Sequence, residues 1–307
     1  MAELPRMVAV VGTNASGKSG LGVELALRYG GEVISADSRQ VYRGLNLGSG
    51  KITPAEMRGV PHHLLDVCEP GAFFSMADFQ RLAYTAADDI LARGRTPFLV
   101  GGTGLYVDAV TQGYALSEVK PDLAYRAELE THSTPELYAM LCALVPGTDA
   151  DPANRNRVMR MLEKLHDGDA APAAKQPRYR VLKLGVTWPR ETLCRRIDER
   201  LARRMRDGLA DEVRGLLNAG VSPEFLRRLG LEYRYVSAWL LGEIPTEAEM
   251  LNTLAQEIKR FAKRQMTWFR RDPGILWLNM AGDPVTQACA AVEPFLAETH
   301  FEMEVQL

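Results

Sequence analysis

The chain has 307 residues, 46% apolar and 25% charged, enough for a sizeable core and for about two domains of ~150 residues, which excludes disorder for most of its length. Thirty-seven basic residues against thirty-nine acidic give a net charge of −2, so a polyanion site has to come from local clustering. No run of about 18 apolar residues exists and the first residues lead into a strand-like segment without a signal-peptide core, so a soluble, cytoplasmic protein with no membrane partner is expected.

Met7-Val-Ala-Val-Val11 is a short β-branched run ending at Gly12, the pattern of a buried strand. Leu21, Leu25 and Leu27 recur near helical spacing until Gly30-Gly31 stops the helix. Residues 33–36 read as a second strand with Asp37 at its carboxyl end. A helical stretch over 76–93 leads through Gly94 and Pro97 into a third strand at 98–100, closed by Gly101-Gly102. This alternation predicts an α/β fold with a largely parallel sheet. From 116 to 180 strand signals vanish and three helical stretches can be drawn, over 122–131, 135–145 and 152–166, followed by an Ala/Pro-rich link at 169–177. The strand pattern returns at 181–186. The organisation expected is therefore a core segment at 1–115, an all-helical insertion at 116–180, and core completion with basic helices at 181–307.

Two later helices are well marked. Leu193, Ile197, Leu201 and Met205 fall every four residues, with Gly208 where a C-terminal cap would sit. Thr246 and Glu249 have capping-box spacing, and the helix they open carries Leu251, Leu254, Ile258, Phe261 and Trp268 on one stripe. Beside it run two basic rows, Lys259, Lys263 and Arg270, then Arg260, Arg264 and Arg271. Between Arg190 and Arg271 there are 17 basic and 12 acidic residues, a local excess of +5.

The strongest chemical signal is Gly12-Thr13-Asn14-Ala15-Ser16-Gly17-Lys18-Ser19, a full match to G-x-x-x-x-G-K-[ST] between a strand and a helix. Glycines let backbone N–H groups curl round an oxyanion, the helix N-terminus adds partial positive charge and Lys18 adds a full one. Ser19 is placed to ligate Mg²⁺ through its hydroxyl. A nucleotide triphosphatase also needs a carboxylate at the end of a second strand. The strand at 98–100 ends in Gly101-Gly102-Thr103-Gly104 instead. Asp37 is the one carboxylate at a plausible strand end, and on spacing alone it could serve a metal, act as a general base or staple its own loop. Adjacent His62 and His63 point differently and read as structural or pocket-wall residues rather than metal ligands. Cys68, Cys142, Cys194 and Cys289 read as small apolar fillers, and Trp239, Trp268 and Trp277 as core.

Together these pieces resemble the tRNA dimethylallyltransferase (tRNA isopentenyltransferase) family. The resemblance runs from the Gly12–Ser19 loop through Ser35-Ala-Asp-Ser-Arg-Gln-Val-Tyr42, Pro61-His-His-Leu-Leu-Asp66, Phe74-Ser-Met-Ala-Asp-Phe79 and Leu99-Val-Gly-Gly-Thr-Gly-Leu-Tyr106. It continues in Pro189-Arg-Glu-Thr-Leu-Cys-Arg-Arg-Ile-Asp-Glu-Arg200 and Ala262-Lys-Arg-Gln-Met-Thr-Trp-Phe-Arg270, in the family's order. It implies a P-loop NTPase-like core with an inserted helical domain that helps grip a tRNA anticodon stem-loop. It implies transfer of a dimethylallyl group from dimethylallyl diphosphate to N6 of the adenosine next to the anticodon, position 37, in tRNAs reading codons that begin with U. No triphosphate is consumed, and the cradle holds the donor's diphosphate with Mg²⁺ at Ser19.

By the same resemblance Asp37 is the general base, Thr103 lies beside the reacting centre and Arg200 helps Lys18 hold the diphosphate. Contacts to tRNA are implied for Asp37, Ser38, Arg39, Gln40, Thr103, Arg126, Asn156, Arg157, Val158, Met159 and Arg160, and for the stretch from Arg227 and Arg228 to Glu232. A bacterial-type enzyme is expected, since the Cys/His finger of the family's eukaryotic branch is not found after the basic helix, and a monomer is expected. The sequence departs from the family at Thr13-Asn14, usually Pro-Thr, at Asn156, often Gln, and at Leu231-Glu232, typically Tyr-Lys or Tyr-Arg. The reversed charge argues against a phosphate contact at Glu232. Two alternatives share the cradle: a dimethylallyltransferase acting on free adenylate, which leaves the helical insertion without a purpose, and a P-loop small-molecule kinase or binding module.

Overall fold

The computed structural model describes residues 3–116, 122–168 and 175–297. Its elements run β1 (Arg6–Gly12), α1 (Lys18–Arg28), β2 (Glu32–Ala36), α2 (Pro54–Met57), β3 (His62–His63), α3 (Met76–Ala92), β4 (Pro97–Gly101) and α4 (Gly104–Thr111). Then come α5 (Leu123–Thr131), α6 (Thr134–Leu144), α7 (Arg155–His166), β5 (Arg180–Thr187), α8 (Arg190–Arg206), α9 (Leu209–Asn218), α10 (Pro223–Leu229), α11 (Leu231–Leu240), α12 (Glu247–Phe269), β6 (Ile275–Asn279) and α13 (Pro284–Ala297).

The six strands pair in parallel in the order β3-β2-β4-β1-β5-β6. β1 lies inside the sheet and is apolar at consecutive positions because both of its faces are covered. Met7, Ala9 and Val11 join the cluster under α3 and α4, while Val8 and Val10 face α1 and α13. A third cluster fills the layer built by α8 to α12 and takes in Ala15, Val41, Tyr42 and Leu45 from the loops above the strands. The chain passes from β1 to β2 with β4 between them, and the carboxyl ends of these three strands form the crevice where an open α/β sheet binds ligands.

The chain divides into two compact units, one reaching to Gly113 and resuming at Pro177, the other spanning Tyr114–Gln176. The second unit is helical, with α5, α6 and α7 around Leu129, Leu137, Leu141, Val158, Met159 and Leu162. The sequence boundary at 180 is too late. Tyr179 is buried in the cluster beneath the sheet and Arg180 opens β5, so residues 177–180 belong to the α/β unit. Positions 169–174 of the expected Ala/Pro-rich link lie outside the described residues.

Sequence pattern missed α2, β3, α4, α9, α10, α11, β6 and α13. β3 is two residues long, too short for any period to show. β6 is the last strand of the sheet order, and its Leu276 is apolar yet 45% exposed, which hides the alternation. The stripe expected on α12 is also shifted. Met250, Leu254, Ile258, Ala262, Gln265 and Phe269 form the buried row, with Leu251, Phe261 and Trp268 half-buried at its edge. The tryptophans are likewise half-buried, and Trp268 Nε1 donates to Asp108 Oδ2 at 2.9 Å. Among the described residues, no helix is long and apolar enough to cross a membrane.

Candidate active site

The loop between β1 and α1 is shaped from behind. Gly12 ends β1 where a Cβ would meet Val186 Cγ2 at 2.6 Å. Ala15 and Gly17 then take left-handed φ values of 59° and 91°, which turns successive N–H groups toward one side as an anion nest. The carbonyls on the other side are tied: Arg196 Nε donates to Ala15 O at 2.9 Å and Trp188 Nε1 to Ser16 O at 2.9 Å. Ser16 Oγ donates to Thr13 O at 2.8 Å. Gln265 accepts from Asn14 N at 2.9 Å and donates to Gly102 O at 2.9 Å, joining this loop to the one after β4. Gly17 caps α1 without a side-chain bond, so the first-turn N–H groups stay available to a ligand.

Cations crowd the same opening, a cleft of about 530 Å³. Lys18 stands in it with Arg196, Arg200 and Arg203, which the i, i+4, i+7 spacing of α8 brings onto one side. Burial lowers the Lys18 pKa to about 8, with Asp37 opposing that shift and Arg200, Arg39 and Arg204 adding to it. Arg200 is lowered to about 10, first by burial and then by Arg204. An anion entering this cleft would relieve both.

Asp37 follows β2 and is 8% exposed. Its Oδ1 accepts from Arg39 N at 3.0 Å, with Arg39 Nε at 3.8 Å. Among the described residues, Oδ2 takes no protein hydrogen bond. Thr103 N donates to Ala36 O at 3.2 Å, and Thr103 Oγ1 accepts from Ser38 N at 3.1 Å. The loops after β2 and β4 are thereby stitched, and Thr103 stands beside Asp37. Ser19 sits exposed in the first turn of α1 and shares a small cavity wall with Lys18, Asp37, Gln40 and His62. One hydroxyl beside an anion nest fits Mg²⁺, which takes few protein ligands and completes its shell with water and substrate phosphates. Among the described residues, no three His, Cys, Asp or Glu side chains form a metal cage. His63 Nε2 is 2.7 Å from Glu32 Oε2, so one histidine is structural and the other lines the pocket wall.

The residues expected at the tRNA surface divide. Arg39 is not at the surface: it is 8% exposed, paired with Glu232 at 2.9 Å and beside Asp37. Gln40 bonds within its loop, accepting from Ser35 Oγ and donating to Gly50 O. Val158 and Met159 are sealed in the insertion's core, so their side chains are closed to a ligand. Asn156 and Arg157 are exposed, and Arg157 reaches Asp149 at 3.2 Å. Arg126 and Arg160 share the buried carboxylate of Glu163, each at 3.0 Å. Arg227 is paired with Glu243 and Arg228 with Glu224 on the exposed side of α10. Sequence reading gave no role to Gln265, Trp188, Arg196 and Arg204, and Glu232 entered it only as a poor phosphate contact. For Arg196 the helical spacing from Arg200 was the available signal.

A model of the IPP transferase family matches residues 40–272. The chain is 45% identical over 291 residues to tRNA dimethylallyltransferase 2 of Shewanella sediminis, covering 92% of this chain and 96% of that protein. It is 45% identical over 289 residues to the protein of the same name from Syntrophotalea carbinolica, covering 91% and 96%. The full-length tRNA isopentenylpyrophosphate transferase of Bacillus halodurans superposes with a TM-score of 0.72 at 38% identity, covering 95% of each chain. A eukaryotic dimethylallyltransferase solved acting on tRNA gives a TM-score of 0.80 at 22% identity over 98% of this chain and 81% of that one, a likeness of fold.

Proposed function

Since the chain belongs to the IPP transferase family, that of the tRNA dimethylallyltransferases, we propose that it transfers a dimethylallyl group from dimethylallyl diphosphate to N6 of adenosine-37 in tRNAs reading codons that start with U. The observation that carries this reading is an anion nest with Lys18 and Arg200 in the same cleft as Asp37, whose Oδ2 is free, while β4 ends in glycines and Thr103 with no carboxylate. Such a site suits release of a diphosphate better than transfer of a γ-phosphoryl group.

The C1–O bond of the donor breaks as N6 of the base forms its bond to C1, and the resonance-stabilised allylic carbon carries developing positive charge. The harder task is the departing diphosphate. Loop amides, Lys18 and Arg200 stabilise that charge, and each well-placed donor of this kind is worth roughly 10²–10³ in rate. Mg²⁺, held at the Ser19 hydroxyl, supplies further neutralisation of the phosphate oxygens when bound. The exocyclic amine is a weak nucleophile because its lone pair is delocalised into the ring. Asp37 Oδ2 takes the N6 proton as the N–C bond forms, worth about 10²–10⁴. Thr103 fixes the loop that carries Asp37 through its bond to Ser38 N. The base reaches this buried cradle by flipping out of the anticodon loop. Arg126, Asn156, Arg157 and Arg160 of the insertion, with Arg227 and Arg228 of α10, supply phosphate-backbone contacts.

The test is transfer of label from dimethylallyl-labelled diphosphate to unmodified tRNA with no ATP present. Label found in the tRNA nucleoside supports the proposal. Label passing to free AMP but not to tRNA, or phosphoryl transfer from ATP to a metabolite, overturns it.

A further inference from the structure

Behind Asp37 two buried arginines share one carboxylate. Glu232, in the first turn of α11, is 2% exposed. Its Oε2 accepts from Arg39 Nη1 and its Oε1 from Arg204 Nη1, both at 2.9 Å. A carboxylate so enclosed and already spanning two guanidiniums has no face for a tRNA phosphate, although family resemblance puts this stretch at the tRNA.

The arrangement has a consequence for Asp37. An arginine fork beside a carboxylate prefers to take both of its oxygens. Arg39 does not do so: only its backbone N–H, at 3.0 Å, and its Nε, at 3.8 Å, face Asp37, and both face Oδ1. Its Nη1 is drawn to Glu232 instead. Space is kept for this path of the side chain, because a Cβ on Gly230 would lie 2.7 Å from Arg39 Cδ. The backbone there is extended, with φ at 169°, so room is all that glycine provides. With Glu232 removed, the acidic neighbour left to Arg39 is Asp37. Besides Arg39 and Arg204, the charges around the cluster are Lys18 on α1, Arg200 on α8 and Glu212 on α9, the last engaged by Tyr233 Oη.

We propose that Glu232 is a positioning residue: by holding the Arg39 fork it presents Asp37 to the incoming amine with Oδ1 engaged and Oδ2 free. This rests on Asp37 acting as the base. The amide left by Glu232→Gln has one acceptor oxygen for which Arg39 and Arg204 compete. Adding Arg204→Met returns that oxygen to Arg39.

The experiment measures single-turnover transfer at saturating tRNA and dimethylallyl diphosphate, tRNA Kd at fixed salt, and thermal melting, for Glu232→Gln, Glu232→Gln with Arg204→Met, Gly230→Ala and Asp37→Asn. Glu232→Gln is expected to slow transfer about 10- to 100-fold with tRNA Kd within about twofold. The double variant should recover a large part of that loss, and Gly230→Ala should slow transfer without weakening tRNA binding. Wild-type transfer with a tenfold weaker tRNA Kd in Glu232→Gln would make Glu232 a tRNA contact and overturn the proposal. So would a slowed Glu232→Gln that melts early and gains nothing from Arg204→Met. Should Glu232→Gln not fold, a folded Gly230→Ala at wild-type rate overturns it alone. Wild-type transfer by Asp37→Asn would instead sink the base assignment itself, whatever Glu232 does.

Discussion

Among the described residues, the Arg–Glu–Arg bridge on Glu232 in the α/β unit and the one on Glu163 in the insertion are alike in chemistry but not in solvation. In the α/β unit Glu232 joins Arg39 and Arg204, whose side chains are 10% and 11% exposed. In the insertion Glu163 joins Arg126 and Arg160, which remain 35% and 34% exposed. Both glutamates are buried, so the difference lies in the cations. In the first bridge the guanidiniums are committed to protein partners. In the second each keeps part of its fork in water, where a phosphate oxygen can reach it. Cation exposure, rather than the ion pair itself, separates a cluster suited to orienting a neighbouring carboxylate from one suited to meeting a polyanion.

The contrast is broken most sharply by deleting the carboxylates. Glu232→Ala should cost about 3–5 kcal/mol, since it strands two buried cations, whereas Glu163→Ala should cost nearer 1 kcal/mol because its arginines can turn to solvent. Urea unfolding of the two variants reads the gap, and equal losses would erase the distinction. Next in size, Asp37→Ala should slow single-turnover transfer at least about a hundredfold while leaving tRNA Kd within about twofold. Arg126→Ala and Arg160→Ala should do the reverse. Each should weaken tRNA binding several-fold and reduce the slope of log K against log salt by about one, with transfer at saturating tRNA unchanged.

A pH signature should come from Lys18 in the first unit. Lys18 has its folded pKa lowered by burial to about 8, beneath its ordinary 10.5. The unfolded chain therefore binds more protons between those values, and the stability contribution of this group rises as pH climbs through the window, the penalty being fully present below it. Affinity for inorganic pyrophosphate runs the other way, falling above about pH 8 as the free amine loses its charge. Pyrophosphate titrations and melts from about pH 7 to about pH 10 should show both slopes, and Lys18→Ala should remove this group's share of each.

How much could be read beforehand follows sequence distance. The Gly12–Ser19 loop is legible because its geometry is written in eight consecutive residues between a strand and a helix. Asp37 is legible as the end of β2, though its free oxygen is not. Glu232 is not legible at all, because Arg39 lies 193 residues away and Arg204 lies 28 away, and the substitution of an acid for a base there reads only as a lost contact. Glu163 is nearer, three residues from Arg160 on one helix, yet its bond to Arg126, 37 residues distant, again needs the fold. Val158 and Met159 show the converse error. They lie in a stretch that resemblance gives to tRNA, but the 3.6-residue period of α7 turns them inward.

The bonds from Arg196, Trp188 and Gln265 to the loop after β1 have a kinetic corollary. A loop braced at its back does not have to freeze when an anion arrives, so capture of the donor sacrifices little backbone entropy and little time. Backbone NMR order parameters at residues 15–17 should then be high already in the free protein and rise little further with pyrophosphate. Arg196→Ala should loosen that brace, turning a ready-made receptacle into one that each ligand must assemble for itself.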